Sequence, residues 1–206
     1  MTDRSFATDY TPSSDQGGYS RLSRLLHWSV AAGFLGALAI GLLLDWLPRE
    51  ARGVWLDPHR TLGLGVLAFG MWRLLRRVRI GFPAPEALQP RWQALAARAT
   101  HWALLAATLA MPLSGVLMTV ARGRAVELWG LTVIPAWGEI GWLAATAGAL
   151  HEAALPVLVG LVALHLGGAL KHHLVDHDDT LRRMLGNARE RHADTGSRPH
   201  ASEPTP

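Results

Sequence analysis

Residues Gly148–Leu170 read GALHEAALPVLVGLVALHLGGAL, a run of twenty-three residues whose single formal charge is Glu152. A helix of this length and apolarity crosses the ~30 Å hydrocarbon core of a bilayer. It carries His151 and His165, fourteen residues apart. At ~100° per residue that spacing falls about 40° short of four full turns, so the two imidazoles share one face. At ~1.5 Å rise per residue they stand about 21 Å apart along the axis, one toward each membrane surface. Ionisable side chains inside a membrane are costly and usually functional. Two of them stacked at opposite depths have the disposition of anchors for two cofactors.

The rest of the chain agrees with a membrane setting. Its 206 residues suit one domain, half are apolar, nine are Trp and none is Cys. Without Cys there is no thiolate-bound iron–sulfur cluster and no covalently attached c-type haem, so any haem is held by histidine and shape. The net charge is +4, with Lys171 the sole Lys. The basic residues gather at the ends of apolar runs and not on a soluble face, a pattern of membrane topology and not of nucleic-acid binding.

Two further uncharged runs are long enough to span: twenty residues between Arg24 and Asp45, and twenty-three between Arg98 and Arg122. Between Arg60 and Arg73 only twelve uncharged residues remain. A span there must extend from about Asp57 to Arg77, with Arg60 and Arg73 snorkelling or meeting anions. The expectation is an all-α membrane protein, a four-helix transmembrane bundle with helices at about 23–46, 57–78, 99–121 and 147–173. Residues 1–24 are a long mixed-charge leader and not a signal n-region, and no small-residue cleavage site follows the first run. The predicted organisation is a disordered leader at 1–18, a transmembrane domain at 19–186, and a disordered tail at 187–206 rich in Pro, Ser, Thr and charge.

Charge orients the bundle. Segments 1–24, 73–98 and 171–206 hold fifteen of the twenty Arg and Lys residues, which puts both termini on the cytoplasmic side of the membrane. The opposite loop, Arg122 to Ala147, holds Trp129, Trp137 and Trp142, which read as an interfacial belt.

This topology sorts four histidines into two pairs. His27 and His165 lie toward the cytoplasm, His59 and His151 toward the outer face. Each pair suits bis-histidine coordination of one haem iron, since neutral imidazole is a common axial ligand and bundle helices project ligands inward. His101, near the start of the third helix, lies deep enough to rival His27. Gly63, one turn after His59, and Gly33, Gly36, Gly115, Gly160, Gly167 and Gly168 would let a flat ring approach, or equally let helices pack closely. Hydrolytic zinc fits poorly, because its ligands converge at one depth, and there is no phosphate loop or nucleophile elbow.

Several motifs together resemble the bacterial cytochrome b561 family of four-helix, di-haem membrane proteins. They are Arg24-Leu25-Leu26-His27-Trp28, His59-Arg60-Thr61-Leu62-Gly63, Met111-Pro112-Leu113-Ser114-Gly115, His151-Glu152, His165 with His172-His173, and Asp179-Thr180-Leu181-Arg182-Arg183-Met184. They run in family order across about residues 19–186. The resemblance implies two haem b groups with iron ligated by His27, His59, His151 and His165, and it favours His27 over His101. It also implies a bacterial inner membrane, electron transfer with the quinone pool, ubiquinone being the expected acceptor, and superoxide oxidation at the outer face as one oxidoreductase activity.

Other polar residues have roles to be weighed. His172, two turns beyond His165, is a candidate to bond a haem propionate or a quinone carbonyl, or is a plain interfacial histidine. Arg73, Arg76 and Arg60 are candidates to neutralise propionates, Arg73 first because it matches an Arg of the family pattern. Arg60, Arg122 and Arg124 could draw an anionic donor to the outer face, with Glu127 and Glu139 opposing them. The expected partners are lipid, quinone and a small or protein electron donor. Two rival functions are a haem-bearing anchor serving a dehydrogenase or hydrogenase, and a histidine-relay proton channel or transporter.

Overall fold

The computed structural model describes residues 19–81 and 90–186; the expected leader at 1–18 and tail at 187–206 lie outside them. The elements run α1 (Arg21–Trp46), α2 (Arg49–Ile80), α3 (Arg91–Val120), β1 (Val126–Leu128), β2 (Leu131–Ile134), α4 (Gly141–Leu174) and α5 (Thr180–Leu185).

Local chemistry sets the helix ends. Ser20 caps α1 by accepting the Ser23 N–H at 3.3 Å. Pro48 holds Leu47 extended (ψ 141°), which stops α1 and opens α2 at once. Gly186, at φ 90°, ends α5 in the left-handed conformation with its N–H on the Arg182 carbonyl. The long helices begin well before the apolar runs that reveal them: α2 at Arg49, α3 at Arg91 and α4 at Gly141. Uncharged length measures the part of a helix that lies in hydrocarbon. The polar turns beyond it remain helical in the interfacial water, where charge costs little.

Helices α1, α3 and α4 are long and apolar enough to cross a membrane. Helix α2 has 32 residues, about 48 Å at ~1.5 Å per residue, but is too charged at both ends to qualify on composition. Arg60, one of the two arginines that the sequence left in question, meets Asp57 at 3.8 Å. Close backbone contact joins α1 to α2, α2 to α3 and α3 to α4, whereas α4 packs little against α1 or α2. The ends of the described chain lie together: Trp28 Nε1 donates to the Met184 carbonyl at 3.1 Å, and a Cβ on Gly186 would stand 3.1 Å from the Arg24 guanidinium. Helix α5 is thus strapped across the start of α1.

The glycines divide by role. A Cβ at Gly33 would meet Val66 Cγ2 at 3.1 Å, and one at Gly36 would meet Leu62 Cδ1 at 3.0 Å, so these two let α1 and α2 approach. Gly160, Gly167 and Gly168 face open space. Leu25, Leu35, Phe69, Leu150, Val157 and Leu164 are among the many large apolar side chains exposed. A water-soluble surface does not tolerate so much exposed hydrocarbon, and a lipid-facing one requires it.

The Arg122–Ala147 loop contains strands, which the all-α expectation left out. β1 and β2 pair antiparallel with Leu128 opposite Leu131, and the turn between them takes positive φ at both central residues, Trp129 (52°) and Gly130 (84°). That is the signature of a type I′ hairpin turn. Trp129 Nε1 donates to Thr61 Oγ1 at 3.2 Å, tying the hairpin tip to α2. Val126 is buried beneath it.

Candidate metal centres

The four paired histidines are brought together two by two. His59 on α2 and His151 on α4 have ring centroids 6.2 Å apart, and His27 on α1 and His165 on α4 have centroids 6.3 Å apart. A metal between two imidazoles needs about 2 Å to each ligating nitrogen, and each such nitrogen lies about 1.1 Å from its ring centre, giving about 6.2 Å. Both pairs have that spacing. Both also bridge α4 to a helix it scarcely touches, which is where a disc lying between two ligands has room.

The outer pair has its tautomers fixed. His59 Nδ1 lies 3.0 Å from the Ala37 carbonyl, and His151 Nδ1 lies 3.0 Å from the Met111 carbonyl and 3.0 Å from Ser114 Oγ. A carbonyl only accepts, so each Nδ1 carries the proton and each Nε2 keeps a lone pair for a metal. Ser114 donates its own hydroxyl to the Met111 carbonyl at 2.7 Å, leaving its lone pairs for His151.

Glycine makes these contacts reachable. Four residues after each accepting carbonyl, on the same helix face, stand Gly41 and Gly115. A Cβ at Gly41 would come 3.4 Å from His59 Cε1, and one at Gly115 would come 3.2 Å from His151 Cε1. Beside the pair opens a cleft of about 790 Å³ counted to its mouth, lined among others by Gly63, Pro112, Arg60, Arg122 and Arg124. Gly63 borders the cleft, with nothing closer to its would-be Cβ than Pro112 at 3.9 Å.

The inner pair is built differently. His27 Nδ1 is buried with no hydrogen-bond partner among the described residues, a cost a protein accepts where something else occupies the site. Trp28 packs edge-on against His27 with centroids 5.1 Å apart. His101 on α3 lies 5.4 Å from His165 at an interplanar angle of 74°. That is shorter than the 6.3 Å between His27 and His165, which is the separation that matches the other pair. Arg73 is close enough to His27, His101 and His165 for its charge to act on all three.

The remaining polar residues fall elsewhere. His172 belongs to neither pair: its Nδ1 lies 2.7 Å from Asp178 Oδ2 and 3.1 Å from Asp176 Oδ2. Burial pushes the Asp178 carboxyl up, but the Thr180 N–H and the His172 ring outweigh it and hold the group below its ordinary 3.8. Lys171 takes the Asp176 carboxylate at 2.7 Å, so this trio is internally satisfied. Arg76 reaches the Ser20 and Ser23 hydroxyls at 3.4 and 3.3 Å. Arg77 lies over the Tyr19 ring at 5.3 Å.

The orienting groups were missed by sequence reasoning. Backbone carbonyls have no residue signature, and Gly41 reads as one small residue among many. The usable signal was a glycine on a neighbouring helix at the depth of each outer histidine.

Comparison with known proteins identifies the family. The profile of the family described as prokaryotic cytochrome b561 matches residues 18–187. Cytochrome b561 homolog 2 of Escherichia coli (strain K12) is 35% identical over 173 residues, covering 82% of this chain and 92% of its own. Cytochrome b561 homolog 1 of the same organism is 28% identical over 169 residues, covering 81% and 96%. A protein named probable superoxide oxidase CybB, from Yersinia pestis, is 29% identical over 174 residues, covering 83% and 97%.

Proposed function

Because the chain belongs to the prokaryotic cytochrome b561 family, a multi-pass membrane family of haem b electron-transfer proteins, we propose that it carries two b haems, one at His27/His165 and one at His59/His151. The observation that carries this reading is the pair of matching ring separations, 6.3 and 6.2 Å, each across helices without close backbone contact. Haem b at each pair would supply reversible one-electron chemistry at two depths of the bilayer.

The chain's own groups do the rest. His59 and His151 present Nε2 because Ala37, Met111 and Ser114 hold the Nδ1 protons. His59 and His151 would hold the haem between them, and a donor would exchange electrons with it through the cleft beside the pair. Arg60, Arg122 and Arg124 border that cleft and favour an anion. Buried Val126 and the Trp129–Thr61 bond set the hairpin over it. At the other level we assign Arg73 the role of meeting a propionate.

The donor we infer is superoxide or another small anion at the His59/His151 side, and the acceptor is ubiquinone. Two superoxide ions would each give up one electron to become dioxygen, and one ubiquinone would take both electrons with two protons to become ubiquinol. All four long helices cross the bilayer in this reading, with both termini cytoplasmic. The meeting of Arg24 with Gly186 supports an even number of crossings.

Haem content per chain and the reduced-minus-oxidised spectrum test it, on wild type, His151→Ala and His165→Ala. Two b haems in wild type, with one lost from each variant, is the expected result. A well-folded wild type that takes up no haem would overturn it. Charge attraction at the cleft is checked separately: Arg122→Gln with Arg124→Gln should flatten the salt dependence of reduction by superoxide.

A further inference from the structure

Helix α3 contributes no ligand to either histidine pair, yet it touches both of the ligands on α4. At one level its Ser114 hydroxyl and Met111 carbonyl hold His151 Nδ1, each at 3.0 Å. The two helices run antiparallel, and thirteen residues back along α3 and fourteen forward along α4 the same facing positions recur as His101 and His165. Their rings meet nearly at right angles with centroids 5.4 Å apart. Two imidazoles joined by an N–H···N bond of about 2.9 Å have centroids about 5 Å apart, so the observed separation is within a small rotation of that bond.

His165 needs such a partner. Among the described residues it has no main-chain acceptor comparable to the Ala37 and Met111 carbonyls that fix His59 and His151. With Nε2 assigned to the haem that the two-haem reading puts between His165 and His27, its Nδ1–H is left for a group on α3. We propose that His101 is the positioning residue of His165, accepting its Nδ1 proton as Met111 and Ser114 accept that of His151. The proposal rests on the two-haem reading. His101 acts through the ligand: an acceptor on Nδ1–H fixes the ring's tautomer and rotation and makes Nε2 more electron-rich, which favours the oxidised iron.

The experiment uses the full-length haem-loaded protein as wild type, His101→Phe, His101→Asn and His27→Ala. Haem content, the electron paramagnetic resonance spectrum of the oxidised form, and a redox titration are read for each. In His101→Phe both haems should stay bound. One of the two low-spin signals and one of the two midpoint potentials should shift, the potential upward, with the other haem unmoved. His101→Asn, which keeps a carbonyl acceptor, should return both readouts toward wild type. Unchanged signals and potentials in His101→Phe would show that His101 is only a packing neighbour. Loss of one haem from His101→Phe, with both retained in His27→Ala, would make His101 itself the ligand and overturn the assignment. A wild type without haem would instead defeat the two-haem reading from which the assignment starts.

Discussion

At the scale of single residues, the outer pair depends on side chains that are missing as much as on those present. Gly115 leaves the space through which His151 reaches Met111, and a Cβ there would stand 3.2 Å from the imidazole. Gly115→Val should therefore displace the ring and lower haem content by the His59/His151 haem, while the His27/His165 haem stays; pyridine haemochrome content per chain checks it. Ser114→Ala should be milder, about 0.5–1.5 kcal/mol in thermal stability, because the Met111 carbonyl still holds His151 Nδ1. The four paired histidines were legible in the sequence because depth on a helix is arithmetic in residue number. The groups that orient them were not, since two of the three are main-chain oxygens, and the sequence does not say which carbonyl a ring will reach.

At the scale of elements, the hairpin and the α5 strap were the least legible parts. The hairpin lies in a stretch read as an aromatic belt, and its tell-tale, Trp129-Gly130 in a turn with positive φ, puts an unusual residue at the first central position. Gly130→Val, at φ 84°, should cost about 1–3 kcal/mol of local strain and loosen the tip from Thr61. Faster hydrogen exchange across 126–134, with the helices unchanged, would register it. In the strap, the Asp178 carboxylate is favoured in its charged form in the folded chain. Its contribution is complete above the ordinary value of 3.8 and is lost as pH falls through the lower folded value. Acidification into that window should release α5 before the bundle, and Asp178→Asn should reproduce the release at neutral pH with a loss on the order of 1 kcal/mol. Proteolysis near Thr180 reads both.

At the scale of the whole molecule, hydropathy alone marks three crossings, and α2 owes its place to what it packs between. The charges that disqualify α2 on composition sit at its two ends, and Arg60 has its counter-ion in Asp57. The native chain has no Cys, so single cysteines report sidedness cleanly. Ser20→Cys and Glu127→Cys should label from opposite faces of sealed vesicles with an impermeant maleimide. If α2 stayed on one side, they would label from the same face. The four-helix reading came from sequence because every apolar run ended at a charged residue: Asp45, Arg73, Arg122 and Lys171. Its one weak segment was weak for a physical reason, as charges crowd both ends of α2 and leave only twelve uncharged residues between Arg60 and Arg73.

The strap that brings Met184 to Trp28 and Gly186 to Arg24 also fixes where any attached cargo begins. A flavodoxin or ferredoxin domain fused beyond Gly186 on a short flexible linker would hover over the His27/His165 level at millimolar effective concentration. The same domain inserted at the hairpin tip would be leashed to the His59/His151 level instead. The fold therefore provides two tethering points, one near each histidine pair, and a chimera can be built at either level by choosing where the leash is tied.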